Sequence, residues 1–467
     1  LRKAGISLCL DFVMNHTAST HRWAMAAKAG DPWFQAYYHL YDDRTIPDQY
    51  EQTVPQVFPN TAPGNFTWCE EIHKWVLTTF HDYQWDLNYA NPAVFVDMTK
   101  SILHLANLGV EVFRIDAVPY IWKQLGTTCR NLPQVHTIVR MLRMVLECVC
   151  PAVILKGEVV MAPKELAAYF GTPEKPECHM LYNVTTMAST WNTIATKNVG
   201  LLKRQMDQLC ALPKDYVFLN YLRCHDDIGW GLDYDWLAQF GIDEVAHKKF
   251  LNDYFTGKGY NSDSRGELYN DDPRLGDARL CGTTASLSGL EAGQYEANAD
   301  KIDQAIACDL MLHGYLLAQS GIPVLYSGDE IGQTNDYTYK NDPDKCADSR
   351  YLHRGNFPWD KVENKDPVAM KIFDALRHME DIRASHDVFS CNANVYTIET
   401  GCASVLGIVR EYAGHELRAF FNFSNMDQLI WTMPDDQADI YTDLISGKTL
   451  RELGAVMPRY GCWWFYR

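Results

Sequence analysis

The chain has 467 residues, enough for one large domain with additions or for two or three domains. Hydrophobic residues make up 47% and aromatics 12%, so a sizeable core is available, and the 13 Trp and 26 Tyr can stack on sugar faces or simply fill that core. Forty-two Lys+Arg against 59 Asp+Glu give a net charge of −17, which argues against nucleic acid and anionic membrane as partners, since both reward basic surface.

The first five residues, Leu-Arg-Lys-Ala-Gly, read as the basic last turn of a helix stopped by Gly5, and Ile6–Val13 as a buried strand. The chain opens inside an element and without methionine, so it is expected to be a fragment. Its apolar stretch from Ile6 to Leu10 runs straight into Asp11, which is not a signal-peptide pattern. The strand ends in Asn15-His16-Thr17. Residues 19–86, rich in Pro, Asp, Tyr and Trp, are too long for a plain loop and read as a functional insertion. Helix Pro92–Leu108 leads to a short strand that delivers Phe113-Arg114-Ile115-Asp116. Side chains two apart on a strand face the same way, so Arg114 and Asp116 can share a site. A cation beside a carboxylate suits a nucleophile, and equally a structural ion pair.

Helix Val135–Cys148 precedes an apolar strand that ends in Gly157-Glu158. A weaker strand, His179–Val184, is followed by a helix over Trp191–Leu212. The strand from Val217 ends in His225-Asp226-Asp227. Residues 229–283 read as a second insertion, after which helix Ile302–Gln319 leads to strand Ile322–Tyr326. Helix Pro367–Ser385 closes this pattern. Short alternating segments at Val395–Glu399, Val405–Val409, Arg418–Phe423 and Trp463–Tyr466 then indicate a small antiparallel domain.

The 14 cysteines form no CxxC pair and are read mostly as small core residues, which points to a reducing, cytoplasmic setting, with secretion left open. Glycosylation triplets at Asn15, Asn65, Asn183 and Asn422 are frequent enough to arise by chance. No apolar run is long enough to span a membrane.

Alternating strands and helices define an α/β protein with a parallel sheet. Strands that end in polar residues fit a (β/α)8 TIM barrel, whose active site lies at the C-terminal strand ends. A doubly wound sheet is the alternative, but no G-x-G-x-x-G follows a strand. The visible strands count as the third to the eighth, so the barrel is expected to lack its first two strands.

The segments Asp11-Phe-Val-Met-Asn-His16, Gln84-Trp-Asp-Leu-Asn88, Phe113-Arg-Ile-Asp116, Gly157-Glu158, His225-Asp226 and Gly321-x-Pro-x-x-Tyr-x-Gly-x-Glu330 resemble, in order, the motif set of glycoside hydrolase family 13, the α-amylase superfamily. The resemblance runs over nearly the whole chain. Within the family, Ala117-Val-x-x-Ile121-Trp-Lys-Gln, Asn131-Leu-Pro-Gln134, Arg223-x-His225-Asp-Asp-Ile-Gly-Trp230, Ala347-Asp-Ser-Arg350 and Pro47-Asp-Gln-Tyr50 are most similar to the amylosucrase branch.

That resemblance implies retaining transfer of a glucosyl unit from sucrose to an α-1,4-glucan with release of fructose. Sucrose hydrolysis, phosphorolysis or another α-glucosidase activity are the alternatives, and an inactive or purely sugar-binding relative is a third. It assigns residues 1–18, 87–228 and 284–388 to the barrel, 19–86 and 229–283 to insertions after its third and seventh strands, and 389–467 to a C-terminal β domain. Asp116 is then the nucleophile, Glu158 the acid/base and Asp226 the third acid. His16, Arg114 and His225 serve substrate binding, and Asp227 and Arg279 stand as acceptor-side candidates. Arg350 is expected to close the pocket floor but to lack its acidic partner in a barrel without its first strands. The resemblance implies no cofactor and no metal, although Asp86 and Asn88 offer calcium ligands in some amylases. It leaves the oligomeric state open.

Overall fold

The computed structural model describes residues 1–161, 163–431, 441–450 and 454–467. They form two compact units, Leu1–Tyr182 and Asn183–Arg467.

In the first unit, strands Cys9–Val13, Val112–Asp116, Ile154–Gly157 and Met180–Tyr182 pair in that order, all parallel. Such strands need a helical crossover, and the helices are built for it. Pro92–Asn107 starts on Asn91, whose side chain accepts the Ala93 N–H, has Pro92 in its first turn, and buries Val94, Met98 and Ile102. Pro133–Val149 buries Val135, Ile138, Val139, Leu142 and Leu146, a spacing of three and four that faces one side of a helix to the sheet. Phe12, Phe113, Ile115, Leu155 and Leu181 are the sheet's own share of the core.

The strand expected at Ile6–Val13 begins only at Cys9 and is exposed over Cys9, Leu10 and Asp11. It pairs on one side, with Val112–Asp116, among the described residues of its unit, so the burial expected of it is confined to its second half. Gly5, with φ 74°, stops a single 3-10 turn, Arg2–Ala4.

The segment 19–86 carries helices Arg22–Lys28, Pro32–Gln35 and Thr45–Glu51 and an antiparallel sheet in the order Leu40–Tyr41, Lys74–Leu77, Phe66–Cys69. Tyr50, Val54, Phe66 and Leu77 form its core, together with Cys129 from beyond the segment. Strand His16–Ala18 returns to pair antiparallel with Gln84–Asp86, placing His16 opposite Asp86.

In the second unit, strands Val217–Tyr221 and Ile322–Val324 are parallel, with Leu219 opposite Ile322. The helix expected over Trp191–Leu212 is two helices, Val184–Thr196 and Gly200–Cys210, broken where Lys197 turns left-handed at φ 57°. The first contains Val-Thr-Thr-Met-Ala-Ser-Thr, a poor helix former by propensity. Burial overrides that: Thr185 through Ala195 are all buried, and Ser189, Thr190 and Thr193 satisfy their hydroxyls by donating to carbonyls four residues back at 2.7–2.9 Å.

The segment 229–283 carries helix Glu244–Phe255 and, with Ile228–Gly229, an antiparallel sheet that includes Glu267–Asp272 and Asp277–Cys281. The C-terminal six-stranded antiparallel sheet includes Asn394–Ile398, Val405–Tyr412, His415–Asn422 and Cys462–Tyr466, over a core of Val405, Phe420, Ile430, Met457 and Phe465.

All 14 cysteines are free thiols, but only five are buried, so fewer sit in the core than their number led one to expect. Asn15, Asn65, Asn183 and Asn422 are buried, which removes the glycosylation triplets as acceptors in the folded chain. No helix among the described residues is long and apolar enough to cross a membrane.

Candidate active site

Two carboxylates are set side by side by strand register. Val13 lies opposite Asp116, and Ile115 opposite Gly157, so Glu158 leaves its strand next to Asp116. Adjacent strands run about 4.7–4.9 Å apart. Arg114 joins them: Nη1 lies 2.6 Å from Asp116 Oδ1 and Nη2 lies 3.0 Å from Glu158 Oε1. Nη1 also reaches Asp11 Oδ1 at 3.1 Å. The Arg114 side chain is only 8% exposed, while Asp116 and Glu158 keep 25% and 22% of theirs open to solvent. A planar fork of donors suits this bridging, where a lysine would offer a single point charge.

The backbone after Asp116 is shaped to the same end. Ala117 adopts a left-handed conformation, φ 48°, uncommon for a residue with a Cβ. Its N–H then donates to Glu158 Oε2 at 2.9 Å. Gly157 is required by packing: a Cβ there would lie 2.7 Å from Cys178 Sγ and 2.9 Å from Leu181 Cδ2.

His16 lies in the same unit, buried, with its ring 5.5 Å from that of Phe80. Burial holds its pKa below the usual histidine range, although Asp86 and Asp116 pull the other way. Asp86, considered above as a calcium ligand, is fully buried and ion-paired with Lys123 at 2.6 Å. Asn88 caps its own turn, accepting the Ala90 N–H at 3.2 Å. Sequence reading singled out neither Lys123 nor Asp11. Lys123 stands in the quoted Ile121-Trp-Lys-Gln wording, and a lysine in so apolar a stretch was the available signal.

In the second unit, the strand Val217–Tyr221 is followed by Arg223, buried and paired with Asp329 at 2.8 Å, and then by His225, Asp226 and Asp227. Asp226 Oδ2 lies 3.2 Å from His225 Nε2, and its Oδ1 lies 3.3 Å from Arg354 Nη2 and 3.6 Å from Arg350 Nη1. Arg350 has a local acidic partner, a different residue from the one that the resemblance implied. It grips Asp348, Nε to Oδ1 at 2.8 Å and Nη2 to Oδ2 at 2.7 Å, because the turn Asp348–Arg350 folds the two side chains together. Its guanidinium also lies 4.8 Å from the Tyr269 ring centroid. Arg279 Nη1 pairs with Asp227 at 3.2 Å. Burial pushes the Asp227 carboxyl up, against the pull of Arg279.

Cys224, His225 and Asp226 bring potential ligand atoms within 4.8 Å of one another, the one such group among the described residues. Arg350 and Arg354 beside Asp226 oppose a cation there.

Parallel strands that end in acids, with one guanidinium holding two carboxyls, place paired carboxyl groups where glycoside-bond chemistry would need them. Comparison with known proteins points in the same direction. The model described as "Alpha amylase, catalytic domain" matches residues 1–228. The glucosylglycerate phosphorylase of Escherichia coli is 28% identical over 89% of this chain and 71% of its own length. The trehalose synthase of a Pimelobacter species is 27% identical over 70% of this chain and 52% of its own. Among solved structures, sucrose 6F-phosphate phosphorylase from Thermoanaerobacter thermosaccharolyticum matches 97% of this chain and 84% of its own with a TM-score of 0.69, at 17% identity, a likeness of fold. Together these findings support membership of the α-amylase family, with its catalytic domain and a C-terminal antiparallel sheet.

Proposed function

We propose that the protein is a retaining α-glucosyl-transferring enzyme that takes the glucosyl unit of sucrose and hands it to a neutral acceptor, an α-1,4-glucan or water. The observation that carries the reading is Arg114, which holds Asp116 and Glu158 within one guanidinium's span at the ends of neighbouring strands. A retaining mechanism needs such a pair, about 5–5.5 Å apart.

In the first step an Asp116 oxygen bonds to the anomeric carbon as the glycosidic C–O bond breaks, and Glu158 gives its proton to the leaving oxygen, releasing fructose. In the second, Glu158 takes the proton of the acceptor hydroxyl, whose oxygen bonds to the anomeric carbon as the bond to Asp116 breaks. Both Glu158 oxygens face donors, Arg114 and the Ala117 N–H, which is the arrangement of the base in the second step. For the first step, one oxygen must turn from its donor to the leaving group, carrying the proton. Asp226 is the third acid of this reading, and His16 and His225 bind glucosyl hydroxyls. The segments 19–86 and 229–283 are barrel insertions, 389–467 is an appended domain, and the free thiols fit a reducing compartment.

Phosphate is the rival acceptor, since phosphorylases are among the relatives. The acceptor-side candidates speak for a neutral one. Arg279 is matched by Asp227 at 3.2 Å, and a guanidinium already paired with a carboxylate favours a neutral partner over a phosphate dianion. The test is to incubate the protein with sucrose alone, with glycogen, and with phosphate. Fructose release with free glucose or extended glucan is expected. Glucose 1-phosphate as the main product would overturn the acceptor assignment, and no release of fructose under any condition would overturn the donor assignment.

A further inference from the structure

A closed polar cluster in the first unit surrounds Lys123. Its side chain is 1% exposed and that of Asp86 is 0% exposed. The ammonium donates to Asn15 Oδ1 at 3.1 Å and to Thr79 Oγ1 at 3.1 Å, and pairs with Asp86 Oδ2 at 2.6 Å. Three hydrogens meet three oxygens. An ammonium has donors and no acceptor, so only the oxygen of the Asn15 amide can face it. The amide nitrogen is thereby turned the other way, and Asn15 Nδ2 lies 3.2 Å from His16 Nδ1.

The consequence falls on His16. An amide N–H pointing at Nδ1 requires Nδ1 to accept, and a neutral imidazole that accepts at Nδ1 carries its proton on Nε2. Gln84 lies 2.9 Å from Nε2. With its amide turned so that Oε1 faces Nε2, it accepts that proton, and the buried Oε1 that otherwise has no partner is satisfied. Groups facing the ring include Asp86, Asp116, Lys123 and His81, and burial favours the neutral form.

We infer that Lys123 is a positioning residue that fixes the tautomer of His16, acting through Asn15 so that Nε2 carries the proton. On the reading proposed above, His16 then meets a glucosyl hydroxyl as an N–H donor, and Gln84 holds that N–H until the sugar arrives. This last step rests on the sugar-binding role of His16. The tautomer does not.

The test is long-range proton–nitrogen correlation on the full chain labelled at histidine nitrogens, with the His16 signals identified by their loss in His16→Gln. The expected result is an unprotonated Nδ1 and a protonated Nε2. Asn15→Asp keeps the contact with Lys123 but places a carboxylate oxygen on Nδ1, so Nδ1 should gain a proton, and kcat/KM for sucrose should fall more than tenfold. Lys123→Met combined with Asp86→Asn removes the cation and its counter-charge together, leaving no unpaired buried ion. Nε2 should then lose its exclusive hold on the proton. A protonated Nδ1 in the native chain overturns the inference, as does an Asn15→Asp protein whose Nδ1 stays bare. If the native chain proves inactive on sucrose, the nitrogen shifts still decide the tautomer, and only the sugar-binding reading fails.

Discussion

Replacing Arg114 with methionine keeps a long apolar stem and deletes the one guanidinium that bridges Asp116 and Glu158. The side chain is 8% exposed and faces three carboxylates, so its loss leaves two neighbouring, three-quarters-buried carboxyls without their shared cation. Breaking such a cluster costs about 3–5 kcal/mol. Asp11 adds little to this, because its side chain is 57% exposed and water screens the pair. If the same loss falls on the transition state, turnover drops by roughly two to nearly four powers of ten. Chemical-denaturation midpoints and fructose release from sucrose measure the two effects. The cycle is closed with Asp116→Asn: in the methionine background, removing one of the stranded charges should recover about 1–3 kcal/mol. Turnover and midpoint both unchanged in Arg114→Met would refute the reasoning. So would a further loss of stability on adding Asp116→Asn.

Asp116→Asn should abolish turnover on every substrate, whereas Glu158→Gln should be far less damaging with α-glucosyl fluoride than with sucrose, since fluoride leaves without a proton; equal losses would remove Glu158 as the acid. Gly157→Ala should cost about 1–3 kcal/mol by overpacking against Cys178 and Leu181, and Cys178→Ala should recover part of it, both read from unfolding midpoints. Burial holds His39 and His179 near a pKa of about 4 and His353 near about 3. Unfolded, each titrates near about 6.5. Below that pH the unfolded chain binds protons that the folded chain refuses, so stability should fall as pH drops from about 6.5 towards 4, and His353→Gln should flatten the fall. A midpoint independent of pH over that window would contradict these assignments.

What was legible in the sequence follows from how local each signal is. Helix Pro367–Ser385 was legible in outline, and the structure shows why: a capping aspartate, a proline in the first turn and a buried apolar stripe are all local signals. The acids at strand ends were legible because parallel strands are short apolar runs with a polar stop. The break at Lys197 was not, since a buried Thr-rich helix is stabilised by its surroundings, which propensity does not count. The Arg350–Asp348 pairing depends on a turn that folds two side chains two residues apart onto each other, a geometry the residue types alone do not specify. Lys123 and Asp86 lie far apart in sequence and meet only in the fold, so no spacing could have announced them.

The central claim is that Asp116 is the nucleophile of a retaining pair with Glu158. It is tested most directly by treating the protein with a fluorine-substituted α-glucosyl fluoride, whose fluorine slows both steps while the fluoride still departs unaided, and then locating the adduct by peptide mass spectrometry. The account predicts one glucosyl ester, on Asp116, that disappears in Asp116→Asn. An adduct on another residue, or its absence under conditions where the sugar is still consumed, would contradict it.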